Sequence, residues 1–268
     1  MKKNADNDLI FGRLFACDPL VGRPGIPAYE YNTDIRDLAG EMQRLNIARA
    51  IVRNHDCLTA APYFGNDLLM KSVAGHPDLL PAWFLTPDGR APDFNVTKLV
   101  ETMFGRNVKV AWISSSVGNY APESSSRISF QTWCCREMFD ALQQHRIPLL
   151  VSFESINLSD LHEVMADFPK LRIILLDIPR LGRQAMLEAL LKTHPGLLLC
   201  FSPSFSVHGG YKDLCSRYGD HRWVWGMGYP QAEGGAAITG LVYSGLTRKQ
   251  MEAVAFRNME RLLAEVKK

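Results

Sequence analysis

The stretch Leu171–Asp177, LRIILLD, is an apolar run that ends on an acid. A carboxylate in such a place must be paired, hydrogen-bonded or shifted in pKa. Asp177 is therefore a candidate for proton transfer, with a structural ion pair to Arg180 or Lys109 as the plainer alternative. His55, in RNHDC, also follows an apolar run. Its side-chain type titrates near neutrality, as a general base should. His208, in SVHGG, stands beside two glycines that allow close approach to a ligand. Either histidine can equally be a capping or turn residue. Arg53 and Arg180 carry planar guanidinium groups that can grip a carboxylate through two hydrogen bonds. Glu154 has the same two readings as Asp177. The expected catalytic residues are thus Asp177 and His55, and the expected substrate contacts are Arg53, Glu154, Arg180 and His208. Acids, a base and cations in one group suit carboxylate binding and proton transfer. The segment FSPSFS (Phe201–Ser206) lacks the Gly-x-Ser-x-Gly turn of a serine nucleophile.

Residues spread from 53 to 208 need a scaffold that gathers them. Short apolar, β-branched runs alternate with amphipathic ones along the whole chain. Strands are expected at 8–14, 48–54, 79–85, 108–114, 147–153, 171–177, 196–202 and 222–226, each followed by a helix. The last helix opens on Thr247-Arg248-Lys249-Gln250, a capping-box pattern. Runs such as IILL and LLLC suit a parallel sheet covered on both sides. Eight repeats predict an α/β chain folded as a single (β/α)8 TIM barrel over residues 1–268, with function on the loops that follow the strands. The first of those loops, 17–32, is rich in Pro, Gly and Tyr and can serve as a lid or as a dimer contact in a homo-oligomer.

The chain has 268 residues and a formal net charge of +2, with no basic run, so nucleic acid is not an expected partner. A small-molecule ligand is. No apolar run reaches the length that spans a membrane, and the N-terminus lacks a signal-peptide pattern. Six cysteines without metal-type spacing read as reduced thiols, which implies a cytoplasmic protein. His76, His145, His162, His194 and His221 fall on helices or at the N-terminal side of strands and are expected to be solvated.

Four motifs add a resemblance. HPDLLPAWFLTP (76–87), DFPKLRIILLDIP (167–179), WGMGYP (225–230) and FRNMERLL (256–263) are similar, in this order, to signatures of the amidohydrolase-related family of metal-dependent TIM-barrel hydrolases and decarboxylases. The resemblance implies hydrolysis or carbon–carbon cleavage of a small carboxylated or cyclic substrate. The alternative is a barrel that has lost catalysis and binds a ligand or a partner protein. The family's metal ligands would fall near Asp8-Leu9-Ile10, at Ser152, at Asp177 and at Gly228. Only Asp177, with Asp8 as a second, keeps a ligand's chemistry. The expectation is therefore no cofactor and a degenerate metal site, with a weak divalent-metal position at Asp177 and Asp8 as the one exception.

Overall fold

A computed structural model describes residues 12–23, 33–60, 62–87, 95–114, 129–179, 184–205 and 210–268. Within them the chain forms strands β1 (Leu14–Ala16), β2 (Leu20–Val21), β3 (Ile47–Asn54), β4 (Leu79–Phe84), β5 (Val110–Ile113), β6 (Leu149–Ser152), β7 (Ile173–Leu176), β8 (Leu197–Phe201) and β9 (Trp223–Trp225). All pair in parallel, in the order β1-β9-β8-β7-β6-β5-β4-β3-β2, and β1 also pairs with β3. That second pairing closes the ring. The two-residue β2 runs along β3 at Arg53 and Asn54, just past the rungs that β1 occupies. β1 and β2 are thus one barrel strand, interrupted at Cys17-Asp18-Pro19, and the result is an eight-stranded TIM barrel.

The apolar runs become the barrel because they have no solvated face. Every residue of β7 and β8 is buried. The helices α1 (Ile35–Arg44), α2 (Asp56–Thr59), α3 (Pro62–Val73), α4 (Val96–Gly105), α5 (Thr132–His145), α6 (Leu158–Asp167), α7 (Gln184–Thr193) and α8 (Gly210–Tyr218) follow in turn. The longer ones turn an apolar stripe inward, as Leu38 and Met42 do on α1. Asp34 caps α1 by accepting a hydrogen bond from the Arg36 N–H.

Three features depart from the expected pattern. Among the described residues the first strand covers Leu14–Ala16, and positions 8–11 of the expected 8–14 lie outside them. Helix α9 (Gly234–Val242) was not expected, because its paired glycines and small residues blur the helical periodicity. The closing helix is broken into α10 (Arg248–Glu252), a π-turn at Ala253–Arg257, and α11 (Asn258–Ala264). At the break, the Asn258 amide donates to the carbonyls of Asp220 and Trp223 at 2.7 and 2.8 Å, which ties α11 to the barrel wall.

The capping box is present: the Gln250 N–H donates to Thr247 Oγ1, and Gln250 Oε1 accepts from the Thr247 N–H. Thr247→Ala is expected to cost about 1 kcal/mol in urea unfolding; an unchanged midpoint would show that the cap contributes nothing. His194 is also unlike its expectation. It is buried, and its Nε2 shares a 2.8 Å hydrogen bond with His162 Nδ1 between α6 and α7.

Candidate active site

The strands end at one mouth, and there a cavity of about 290 Å³ is lined by Asp18, Arg53, Glu154, Asp177, Ser202 and Ser204, among others. They come from five strand ends or the loops behind them: Asp18 from the break between β1 and β2, Arg53 from β3, Glu154 from the turn after β6, Asp177 from the end of β7, and both serines from the end of β8. The volume suits a small ligand.

Asp18 is 2% exposed. Its Oδ1 accepts the Met227 N–H at 2.8 Å and its Oδ2 the Gly228 N–H at 2.9 Å. The turn WGMGYP is therefore held by a carboxylate from the far end of the sequence. A Cβ on Gly226 would lie 2.3 Å from Asp18 Oδ2 and 2.5 Å from Cys200 Sγ, so the missing side chain makes room for Asp18. Gly228 has φ 75°, and a Cβ there would meet Ala232 and Pro203 at 2.9 and 3.0 Å. A carboxylate at that position does not fit this turn.

Arg53 is 5% exposed. Its Nη2 donates to the Asp18 carbonyl at 2.7 Å, and its Nη1 lies 3.6 Å from Asp177 Oδ2. Its Nε is buried and has no hydrogen-bond partner among the described residues. Asp177 takes a left-handed backbone conformation, φ 55°, uncommon for a residue with a side chain. It stays open to solvent, with 39% of its side chain exposed.

Burial, then the nearby Asp177 charge, raises the Asp18 carboxyl to about 6, against the opposing pull of the Gly228 and Met227 N–H groups and of Arg53. A raised carboxyl pKa means that the folded state prefers the protonated form. The associated stability is fully present below pH 4, is lost as pH rises through about 6, and amounts to about 2–3 kcal/mol. Asp18→Asn removes this titration. The unfolding free energy of wild type should accordingly fall relative to Asp18→Asn between pH 4 and pH 7, and parallel curves for the two proteins would contradict it.

The structure thus brings Arg53, Glu154 and Asp177 to one cavity. His55 does not line it; the ring sits at the start of α2, half-buried, and burial holds its pKa below the usual histidine value. Asp8, Arg180 and His208 lie outside the described residues. Asp18 went unnoticed in the sequence because the first strand was placed too early. Its signal was the one that marked Asp177: an apolar run, LFAC, that ends on an acid.

The amidohydrolase family model matches residues 21–264. Among curated proteins, none matches this sequence. The fold is similar to 2,6-dihydroxybenzoate decarboxylase from Rhizobium, with TM-score 0.68 and 13% identity over 94% of this chain and 98% of that one. It is similar to a dihydroxybenzoic acid decarboxylase from Polaromonas with bound manganese and an inhibitor, with TM-score 0.67 and 11% identity over 94% and 96%. It is similar also to a 5-carboxyvanillate decarboxylase from Novosphingobium aromaticivorans with bound manganese, with TM-score 0.67 and 12% identity over 94% and 97%. Likeness at these identities shows the TIM-barrel fold.

The manganese overturns the expectation of no cofactor. That expectation counted missing histidines, whereas manganese is a hard cation that carboxylates hold well. Among the described residues, however, no three His, Cys, Asp or Glu side chains gather as a cation cage. Both Asp18 oxygens are engaged by main-chain N–H groups, and Asp177 faces a guanidinium. Among the described residues this donor set does not fit a three-ligand ion. No helix among the described residues is long and apolar enough to cross a membrane.

Proposed function

The chain belongs to the amidohydrolase family, and from that premise we propose that it is an enzyme that hydrolyses, or cleaves a carbon–carbon bond in, a small carboxylated aromatic or cyclic substrate at the barrel mouth. The observation that carries this reading is Arg53. A guanidinium that is only 5% exposed lines a cavity of substrate size. Its charge would give a ligand carboxylate charge-assisted hydrogen bonds. The cation is held in place by the Asp18 carbonyl and by Asp177.

Both reaction types need a proton moved beside the bound anion. A decarboxylation releases CO2, and the carbon left behind takes up a proton. A hydrolysis takes a proton from the attacking water and gives one to the leaving oxygen. Asp177, exposed to the cavity, is the proposed proton-transfer group. Asp18, which also lines the cavity, orients the guanidinium through its carbonyl and keeps the WGMGYP turn in place through its carboxylate.

The test is turnover of 2,6-dihydroxybenzoate, 5-carboxyvanillate and a pyrone lactone by the purified protein, with and without added manganese, alongside calorimetric binding of each. Turnover that Asp177→Asn abolishes is the expected result. Binding without turnover under every condition would instead make the chain a ligand-binding barrel, and absence of binding would refute the reading altogether.

A further inference from the structure

The wall of the cavity opposite in sequence to Arg53 is built by Ser202 and Ser204, and the direction of their hydrogen bonds can be worked out. Ser204 Oγ lies 3.2 Å from the Ile178 carbonyl, which has no proton to give, so Ser204 is the donor. A hydroxyl has one proton. In the 3.1 Å contact between the two hydroxyls, Ser204 must then accept and Ser202 donate. Both protons are spent within the protein, and only oxygen lone pairs remain for the cavity. The arrangement is firmly held. The Tyr211 hydroxyl lies 3.4 and 3.3 Å from the carbonyls of Ser202 and Phe205, which share its one proton, and its ring stacks on Phe201 at 3.7 Å. Ser202 itself is 4% exposed.

We infer that Ser202 and Ser204 are specificity-determining residues, an acceptor wall that selects substrates carrying a hydrogen-bond donor, a hydroxyl or an N–H, in addition to the carboxylate that Arg53 anchors. The inference rests on the reading of this cavity as a carboxylate site. It narrows the substrate class to hydroxylated or amide-bearing carboxylic acids. A ligand without such a donor would displace water from the serine oxygens without replacing its hydrogen bonds.

Calorimetric binding of 3- and 4-hydroxybenzoate against 3- and 4-fluorobenzoate tests it. Fluorine nearly matches the hydroxyl in size and has no proton to donate. The hydroxylated acid of at least one pair should bind wild type about tenfold more tightly than its fluorinated partner. In Ser202→Ala that ratio should fall towards one. Ser204→Ala provides a second variant: it frees the Ser202 proton to point into the cavity, and the preference for a donor should shrink there too. The affinity ratio is internal to each protein, so a general loss of folding does not imitate the result. No preference in wild type, or a preference that survives both substitutions, overturns the inference while leaving Arg53 as the anchor. If none of the four acids binds, or if Arg53→Met does not weaken them, the carboxylate site itself fails and the inference falls with it.

Discussion

Arg53→Met is expected to lower the affinity for benzoate-type carboxylates by roughly a hundredfold, the scale of losing charge-assisted hydrogen bonds in a buried site. Methionine keeps much of the arginine's bulk, so the cavity is not opened. The stability cost should be about 1–3 kcal/mol, because one partner of an ion pair is removed and the other, Asp177, keeps contact with solvent. Two groups lose a partner: the Asp18 carbonyl, and Asp177, which remains partly solvated at 39% side-chain exposure. Calorimetry reads the affinity and thermal unfolding reads the fold. Unchanged affinity would place the anion elsewhere. A collapsed melting temperature would show that Arg53 serves the structure more than the ligand.

The second large effect is expected at Gly226. An added methyl would stand 2.3 Å from Asp18 Oδ2 and 2.5 Å from Cys200 Sγ. Neither atom ends a flexible side chain in open space: Asp18 is pinned by two main-chain N–H groups, and Cys200 is wholly buried. Gly226→Ala should therefore destabilise the barrel by about 3 kcal/mol, from overpacking and from displaced carboxylate hydrogen bonds. For a chain of this size the melting temperature would fall by roughly 10 °C. Gly40, in the middle of α1 with nothing within 4 Å of its would-be Cβ, is the control. Gly40→Ala should be neutral or slightly stabilising. If the two substitutions behave alike, the close packing of Asp18 over Gly226 is not a feature of the protein in solution.

The closing seam of the barrel explains why Gly226 carries so much. β1 and β9 share a single registered pair, Ala16 with Trp225, and one further bond from the Cys17 N–H to the Trp225 carbonyl. The Asp18 carboxylate extends this short junction to Met227 and Gly228 of the turn. Pro19 has no N–H to give, and the backbone meets the turn again at Leu20, whose N–H donates to the Tyr229 carbonyl at 3.2 Å.

Much of the architecture was legible in advance, and for a definite reason. A strand buried on both faces must be apolar throughout, and IILL and LLLCF announce this in any context. A helix that covers such a sheet must repeat its apolar residues every three to four positions, as Leu38 and Met42 do. The capping box at Thr247 is equally local, because its two hydrogen bonds join residues three apart. Where local signals were weak, the reading slipped. Small residues in α9 carry little periodicity, and the interruption of β1 at Pro19 hid where the first strand lay. Asp177 and Arg53 were visible as polar residues at the ends of apolar runs.

Their meeting was not visible. Nothing in the order of residues says that Asp18 reaches across to Met227 and Gly228, or that His55 turns away from the cavity that Arg53 enters. Nor does it say that Ser204 spends its proton on Ile178. Chain order dictated the kind of element at each place and the ring those elements close into, because burial and backbone hydrogen bonding act within a few residues. Which polar groups share a cavity, and which of their protons remain free, depended on barrel closure, because those contacts join residues up to 210 positions apart.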